Sequence, residues 1–238
     1  NYYQVPACGW NTTHNITAKI PNTSATWVNF TDIVSAITYA RPNVSEEEEA
    51  VFYCKPETDL GAQTHTAVNF SFTIYGNGAY ISGGEHDFSI DGDNCPPKLT
   101  SDINLKVYNL TNMAFWGNRS TEHTLNLLID GCTLKGEGYP RIYLTGATGS
   151  NNIQIQNTKF LNGPNSVVYS NAPGKISLKD CVFTNNQVPV NINHKATSGT
   201  LKVTIENCSF TNCGEGNSDT EELYSAPIRV VNSQNGDT

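Results

Sequence analysis

Apolar and polar residues alternate along this chain in short runs, and each run stops at Gly, Asn or Asp. Eight pentads of the form apolar–x–apolar–x–turn fall between Phe72 and Asn232. They are Phe72-Ile74-Gly76, Phe88-Ile90-Gly92, Tyr108-Leu110-Asn112, Leu127-Ile129-Gly131, Ile153-Ile155-Asn157, Ile176-Leu178-Asp180, Val203-Ile205-Asn207 and Ile228-Val230-Asn232. Each alternating run predicts a strand with one buried face. The closing residue is always one that tolerates a left-handed backbone, so the chain turns there. Several runs continue past the turn with a second inward pair: Met113 and Phe115, Cys132 and Leu134, Thr158 and Phe160, Cys181 and Phe183, Cys208 and Phe210.

The closing residues are 16, 20, 19, 26, 23, 27 and 25 positions apart, a period that belongs to repeat architectures. Strand, tight turn, strand and a return loop of variable length make one coil of a parallel β-helix. A single coil cannot bury its inward residues, but stacked coils lay like on like about 4.8 Å apart and form a continuous core. An alternative, a β-sandwich of evenly spaced hairpins, leaves the recurrence of the same turn chemistry at the same offset unexplained. The pattern therefore predicts an all-β, single-stranded right-handed parallel β-helix of seven or eight coils, the handedness following from that of parallel crossovers. Ile155, Phe160, Leu178, Phe183, Ile205 and Phe210 should point inward.

Upstream the period changes. Phe30, Ile33, Val34, Ile37 and Ala40 are apolar at helical spacing, with Thr31-Asp32 before them and Arg41-Pro42 after, which predicts a short N-terminal cap helix over residues 30–40. Such a helix would cover the first coil, whose bare edge would otherwise invite pairing. The economical partition is one continuous domain: residues 1–68 as a glycosylated N-terminal segment and cap, residues 69–238 as coils.

Composition adds the compartment. There are 29 Asn and 19 Gly against a single Met, which favours turns over helices. The net charge is −8 and Lys and Arg form no cluster, which argues against nucleic acid or an anionic membrane as partner. No apolar run approaches the roughly 18 residues of a membrane span. Asn-x-Ser/Thr sequons stand at Asn11, Asn15, Asn22, Asn29, Asn43, Asn69, Asn109, Asn118 and Asn207. Residues 1–120 hold 13 Asn, eight of them in sequons; residues 121–238 hold 16 and one. An Asn- and Thr-rich chain making sequons by accident fits the second half only. The first half reads as a glycan-coated surface, which places the protein outside the cell or at its surface by way of a secretory pathway. Asn109, between Tyr108 and Leu110, should face outward by alternation; Asn207 is needed by its turn. The chain begins at Asn1 rather than Met, which fits removal of a signal segment or a sequence cut from a longer one.

The seven cysteines suit an oxidising compartment. Cys8 with Cys54 is the expected staple of the N-terminal segment, Cys95 being the rival partner. Cys181 and Cys208 occupy equivalent places in adjacent coils and read as a disulfide or as two buried thiols. An odd count leaves at least one cysteine unpaired or joined to another chain. None has C-x-x-C spacing or a nearby His, so neither a zinc site nor any cofactor is expected. The run Glu46–Glu49 reads as a solvated loop, a calcium site being its alternative.

The run Phe72-Thr-Ile-Tyr-Gly-Asn-Gly-Ala-Tyr-Ile-Ser-Gly-Gly resembles the opening coils of right-handed β-helix proteins of the pectin-lyase-like superfamily. Phe160-Leu-Asn-Gly, Phe183-Thr-Asn-Asn and Phe210-Thr-Asn-Cys resemble repeats of polymorphic outer-membrane and adhesin-like surface proteins. The resemblance covers roughly residues 26–235, and its motifs define a fold rather than an activity. Taken together with the sequons, it points to a secreted, heavily N-glycosylated structural or adhesive surface glycoprotein, a subunit of an extracellular filament among the forms that would take. The alternative it implies is a carbohydrate-active β-helix enzyme, a polysaccharide lyase or glycoside hydrolase, working with clustered aspartates beside an Arg or His on an outward face. The only dense acidic cluster in the coils is Asp87, Asp91 and Asp93, which reads first as turn chemistry, and Arg141 lacks a His or Asp pair at a fixed offset. His14, His65, His86, His123 and His194 are scattered. No catalytic residue is therefore assigned. The expected partner is a second copy of the chain: Ile228–Asn232 is a further rung with six residues after it, leaving an edge for end-to-end or flank-to-flank association unless the natural protein continues past Thr238.

Overall fold

The computed structural model describes residues 13–62, 65–82, 88–91, 97–136, 141–163, 166–214 and 226–232. Three parallel sheets run along one axis and enclose a single apolar core, so the protein is a β-solenoid of about six turns. The first sheet stacks Glu49–Cys54, Ser71–Tyr75, Ile103–Tyr108, Thr124–Asp130, Ser150–Gln156, Gly174–Lys179 and Leu201–Glu206 in parallel. The second stacks Thr133–Lys135, Lys159–Leu161, Val182–Thr184 and Ser209–Thr211, and is preceded by single bridges through Asp59, Tyr80 and Thr111. The third stacks Thr66–Ala67, Phe88–Ile90, Phe115–Asn118, Ile142–Thr145, Ser166–Ser170, Val188–His194 and Ile228–Asn232.

The register explains the sequence period and corrects it. Five pentads belong to the first sheet, where Ile74, Ile129, Ile155 and Leu178 are buried and Ile205 is half-buried. Phe88-Ile90 and Ile228-Val230 belong to the third sheet instead, Phe88 pairing Phe115 and Val230 pairing Ile192. Tyr108-Leu110-Asn112 is out of phase: Leu105 and Val107 face inward, Tyr108 faces outward and the turn falls at Asn109 with φ 49°. A two-residue inward alternation closed by a turn looks the same on either sheet, so counting it everywhere yields more coils than there are. The strand Glu49–Cys54 pairs in parallel with Ser71–Tyr75, so the ladder starts ahead of residue 69.

Two columns of left-handed residues turn the corners. Asn109, Gly131, Asn157, Asp180 and Asn207 carry φ of 49–64° between the first and second sheets. Asn162, Asn185 and Asn212 carry φ of 51–56° between the second and third. Asn and Asp are the L-residues that enter this region most cheaply, and their short polar chains then bond along the stack. Asn185 Nδ2 donates to Asn162 Oδ1 and Asn212 Nδ2 to Asn185 Oδ1, both at 3.1 Å. Asn157 Nδ2 donates to Asp130 Oδ1 at 2.8 Å.

Inside, the aromatic packing changes along the axis. Phe52, Phe72, Phe88 and Phe115 meet edge-to-face or tilted at 5.3–6.2 Å. Phe160, Phe183 and Phe210 stack in parallel at 4.7 and 4.8 Å, the strand spacing itself. Ile155, Phe160, Leu178 and Phe183 are buried as expected, whereas Ile205 and Phe210, in the last first- and second-sheet strands, are half-buried.

The other end is covered. An antiparallel hairpin, Ile16–Lys19 with Val28–Phe30, extends the first sheet, and the helix Ile33–Ala40 buries Ile33, Ala36, Ile37 and Ala40. Arg41 Nη2 donates to Ala67 O at 2.8 Å, tying the helix to the first strand of the third sheet. Asp32 caps the helix: Oδ1 accepts from Ser35 N at 2.8 Å, and Oδ2 from the hydroxyls of Ser35 and Thr31. Partial burial alone would raise its pKa, but these hydrogen bonds outweigh that and hold the carboxyl below its ordinary value. A depressed folded-state pKa contributes stability that is present above the ordinary Asp range and lost as pH falls through the folded value. Asp32→Ala should therefore cost about 0.5–2 kcal/mol at neutral pH. In strong acid the difference between the two urea midpoints should vanish.

Candidate functional site: aromatic rows and sequons on the outward faces

The inward positions of each strand are spent on the core, so recognition chemistry is confined to the alternate, outward positions. On the third sheet the register places Ser89, Trp116, Tyr143, Tyr169, Asn191 and Arg229 in one outward row. Trp116 meets Tyr143 edge-on at 5.2 Å, and Tyr143 stacks on Tyr169 at 4.8 Å. His65 lies edge-on to Trp116 at 6.3 Å. Partial burial, then the neighbouring Tyr169, push the Tyr143 phenol above its usual range. Beside this row runs a second of Asn118 and Thr145. Arg229 Nη1 donates to Asn191 Oδ1 at 3.1 Å at the far end.

The first sheet carries a comparable outward row. Tyr53, Tyr75 and Tyr108 stack at 5.2 and 5.3 Å, with Trp27 edge-on to Tyr53 at 5.9 Å. Further along, the row becomes Asp130, Gln156, Lys179 and Glu206. A shallow groove on the same sheet is floored by Asn104, Asn126 and Asn152, with Asn152 Nδ2 donating to Asn126 Oδ1 at 2.9 Å. Lys106 and Lys175 border it, Lys106 being 3.1 Å from Glu49.

The acidic cluster weighed as a catalytic centre resolves differently. Asp87 and Asp93 lie outside the described residues. Asp91 is fully buried and its carboxylate is engaged throughout: Oδ1 accepts from Leu99 N at 2.9 Å, and Oδ2 from Thr121 Oγ1 at 2.9 Å and from the Arg119 guanidinium. Arg119 is also fully buried and donates onward to Asn151 Oδ1 at 2.9 Å and to His123 O; Asn151 Nδ2 then donates to Ser170 Oγ at 2.9 Å. Burial lowers the Arg119 pKa more than Asp91 and Asp102 raise it. The network clamps the corner where the third sheet returns to the first. Its signal in the sequence, an Arg inside a sequon and an Asp at a turn, gives no hint that the two meet. Arg141 is buried at the start of the central third-sheet strand Ile142–Thr145, its backbone O accepting from Phe115 N. The four described histidines do not gather: His14 sits by the hairpin, His65 by Trp116, His194 at a third-sheet strand end, and His123 Nδ1 3.9 Å from Asp102. Within the Glu46–Glu49 run, Glu48 turns to Ser45 and Asn22 and Glu49 to Thr73 and Lys106.

The sequons sort by position. Asn11 lies outside the described residues. Asn22, Asn29, Asn109 and Asn207 are exposed, and Asn15, Asn43, Asn69 and Asn118 half-exposed. Asn15 Nδ2 donates to Thr31 O at 2.9 Å and Asp59 O at 3.3 Å, and Asn43 Nδ2 to Tyr39 O at 2.8 Å. Asn109 reaches solvent because it is a turn residue, not through strand alternation. Asn207 Nδ2 donates across the same corner to Asp180 Oδ1 at 2.6 Å.

Cys181 and Cys208 do fall at equivalent places, one residue before the paired strands at Val182 and Ser209, and both are free thiols. Burial pushes Cys132 and Cys181 up to about 12. Cys54 is fully buried and raised to about 12 by the same cause, while its expected partners Cys8 and Cys95 lie outside the described residues.

The class this geometry defines is the β-solenoid. No family model, no curated protein and no solved structure matches the chain.

Proposed function

We propose that this chain is a secreted, N-glycosylated structural or adhesive surface protein. One observation carries the reading. Among the described residues the buried asparagines, Asn77, Asn151, Asn171, Asn186, Asn191 and Asn193, all lie outside sequons, whereas every sequon asparagine retains surface. A glycan is bulky and hydrated and must remain in solvent, so this division supports sequons that are used. The closer kinship, with the pectin-lyase-like superfamily and adhesin-type surface repeats, is supported by the stacked Phe160, Phe183 and Phe210 of the very repeats that suggest it. A polysaccharide lyase or glycoside hydrolase gains no such support, since Asp91 is committed to Arg119 inside the protein.

The filament form of this reading is favoured by the final turn. Leu201–Glu206, Ser209–Thr211 and Ile228–Asn232 edge the three sheets, and Val230, stacked on the buried Ile192, remains 50% exposed. Among the described residues no further strand pairs with these edges, and open edges with apolar residues between them suit a second copy of the chain; a head-to-tail contact between copies is heterologous and open-ended. Glycopeptide mass spectrometry and electron microscopy of natively sourced protein test both levels. The expected outcome is occupied asparagines through the first half of the chain and polymers in the image. Bare asparagines there would overturn the glycoprotein reading, and a monodisperse monomer at high concentration would overturn the filament.

A further inference from the structure

Two sequons have a tryptophan two residues before the asparagine: Trp27-Val28-Asn29-Phe30-Thr31 and Trp116-Gly117-Asn118-Arg119-Ser120. The chain has three tryptophans, and two of them stand here. In extended backbone that offset puts ring and amide on one side, and in both places the side is the outward one. Asn29 is exposed in the strand Val28–Phe30, its Oδ1 accepting from Thr17 at 2.8 Å, while Trp27 reaches Tyr53 on the same face. Trp116 and Asn118 alternate with the buried Phe115 and Gly117. Each tryptophan also opens a tyrosine row, Tyr53-Tyr75-Tyr108 in one case and Tyr143-Tyr169 in the other.

We infer that the N-glycans on Asn29 and Asn118 fold back onto the protein, the first sugar ring of each lying on the tryptophan two residues before its asparagine. The inference rests on the glycosylation proposed above. A pyranose ring has a face of polarised C–H groups, and the electron-rich face of an indole or phenol attracts it as it attracts the positive edge of another ring. The surroundings suit a neutral sugar: in a protein of net charge −8, the strip of Trp116, Asn118, Tyr143, Thr145 and Tyr169 contains no charged side chain. The other sequons have Gly9, Thr13, Ile20, Arg41, Ala67, Val107 or Ile205 at the corresponding place, none of them aromatic, and so serve as internal controls. On this arrangement the two outward tryptophans are beds for the protein's own carbohydrate, each flanked by stacked tyrosines.

The test is a two-by-two comparison of thermal unfolding. Wild type, Trp27→Leu and Trp116→Leu are each made in a glycosylating secretory host and in a host that leaves asparagines bare, with site occupancy read by mass spectrometry. Leucine keeps apolar bulk without a π face, so the variants still fold. Glycosylation should raise the Tm of the wild type about 1–6 °C more than that of either variant, the range expected for one aromatic-type contact in a domain of this size. A glycan-dependent shift equal in wild type and variants, with Asn29 and Asn118 occupied, would overturn the packing and leave the glycoprotein reading intact. Occupancy at other sequons with Asn29 and Asn118 bare would do the same. Asparagines bare throughout in natively sourced protein would overturn both.

Discussion

Phe183→Ala should destabilise the protein by about 3–5 kcal/mol, through lost burial and the cavity left behind. Phe183 has no exposed surface and lies between Phe160 at 4.7 Å and Phe210 at 4.8 Å, with interplanar angles of 3° and 4°. Its removal empties a layer that has rings above and below, and those rings are fixed by the strands Lys159–Leu161 and Ser209–Thr211. Neighbouring coils cannot close the gap without breaking ladder hydrogen bonds, so little relaxation is available. Phe210→Ala, on a ring that is half-exposed already, should cost clearly less. For a domain of this size the Phe183 variant should melt roughly 10 °C lower. Equal losses for the two variants would place the register in error.

Asp91→Ala is expected to be comparably damaging, at about 3–5 kcal/mol, for an electrostatic reason. It leaves the Arg119 guanidinium fully buried with its carboxylate gone, and orphans Leu99 N and Thr121 Oγ1 as well. The pair need not be a net source of stability, because taking both charges out of water is itself expensive. The double variant Asp91→Leu with Arg119→Met, which removes both charges, should accordingly be more stable than Asp91→Ala alone. Urea unfolding of the three proteins measures the difference. A double variant no better than the single would mean that the clamp acts through its hydrogen bonds to Asn151 and His123 rather than through charge.

The fold was readable because its grammar is local. Alternation, then Asn, Gly or Asp, then Phe two residues after a Cys or Thr, sufficed to give parallel coils and the stacked phenylalanines, and helical spacing gave the cap helix, whose polar entry at Thr31-Asp32 forms the observed cap. Sheet assignment was not local. Ile228-Arg-Val230-Val-Asn232 and Val203-Thr-Ile205-Glu-Asn207 are the same pattern in one dimension, and only pairing with Val190 or Ile176 tells them apart. The N-terminal hairpin was missed because Ile16–Lys19 is four residues long and Val28–Phe30 three, too short to show a period. Outward rows were invisible for a related reason: Tyr143 and Tyr169 are 26 residues apart, and nothing near either signals the other. The tryptophan at the second place before Asn29 and Asn118 was legible throughout, since it needs only the two-residue strand repeat.

The corner asparagines have a consequence for how such a chain can change length. Asn157, Asp180 and Asn207 are the same point on successive turns, and the amide stack at Asn162, Asn185 and Asn212 fixes a second point on each. Cutting at one such point and rejoining at the next, from Asn157 to Asp180, removes one whole turn and keeps inward positions stacked on inward positions. Within a strand, a cut of an odd number of residues turns inward positions outward. Evolution of this protein is therefore quantised: the shaft gains or loses entire storeys, and everything smaller must be absorbed in the return loops.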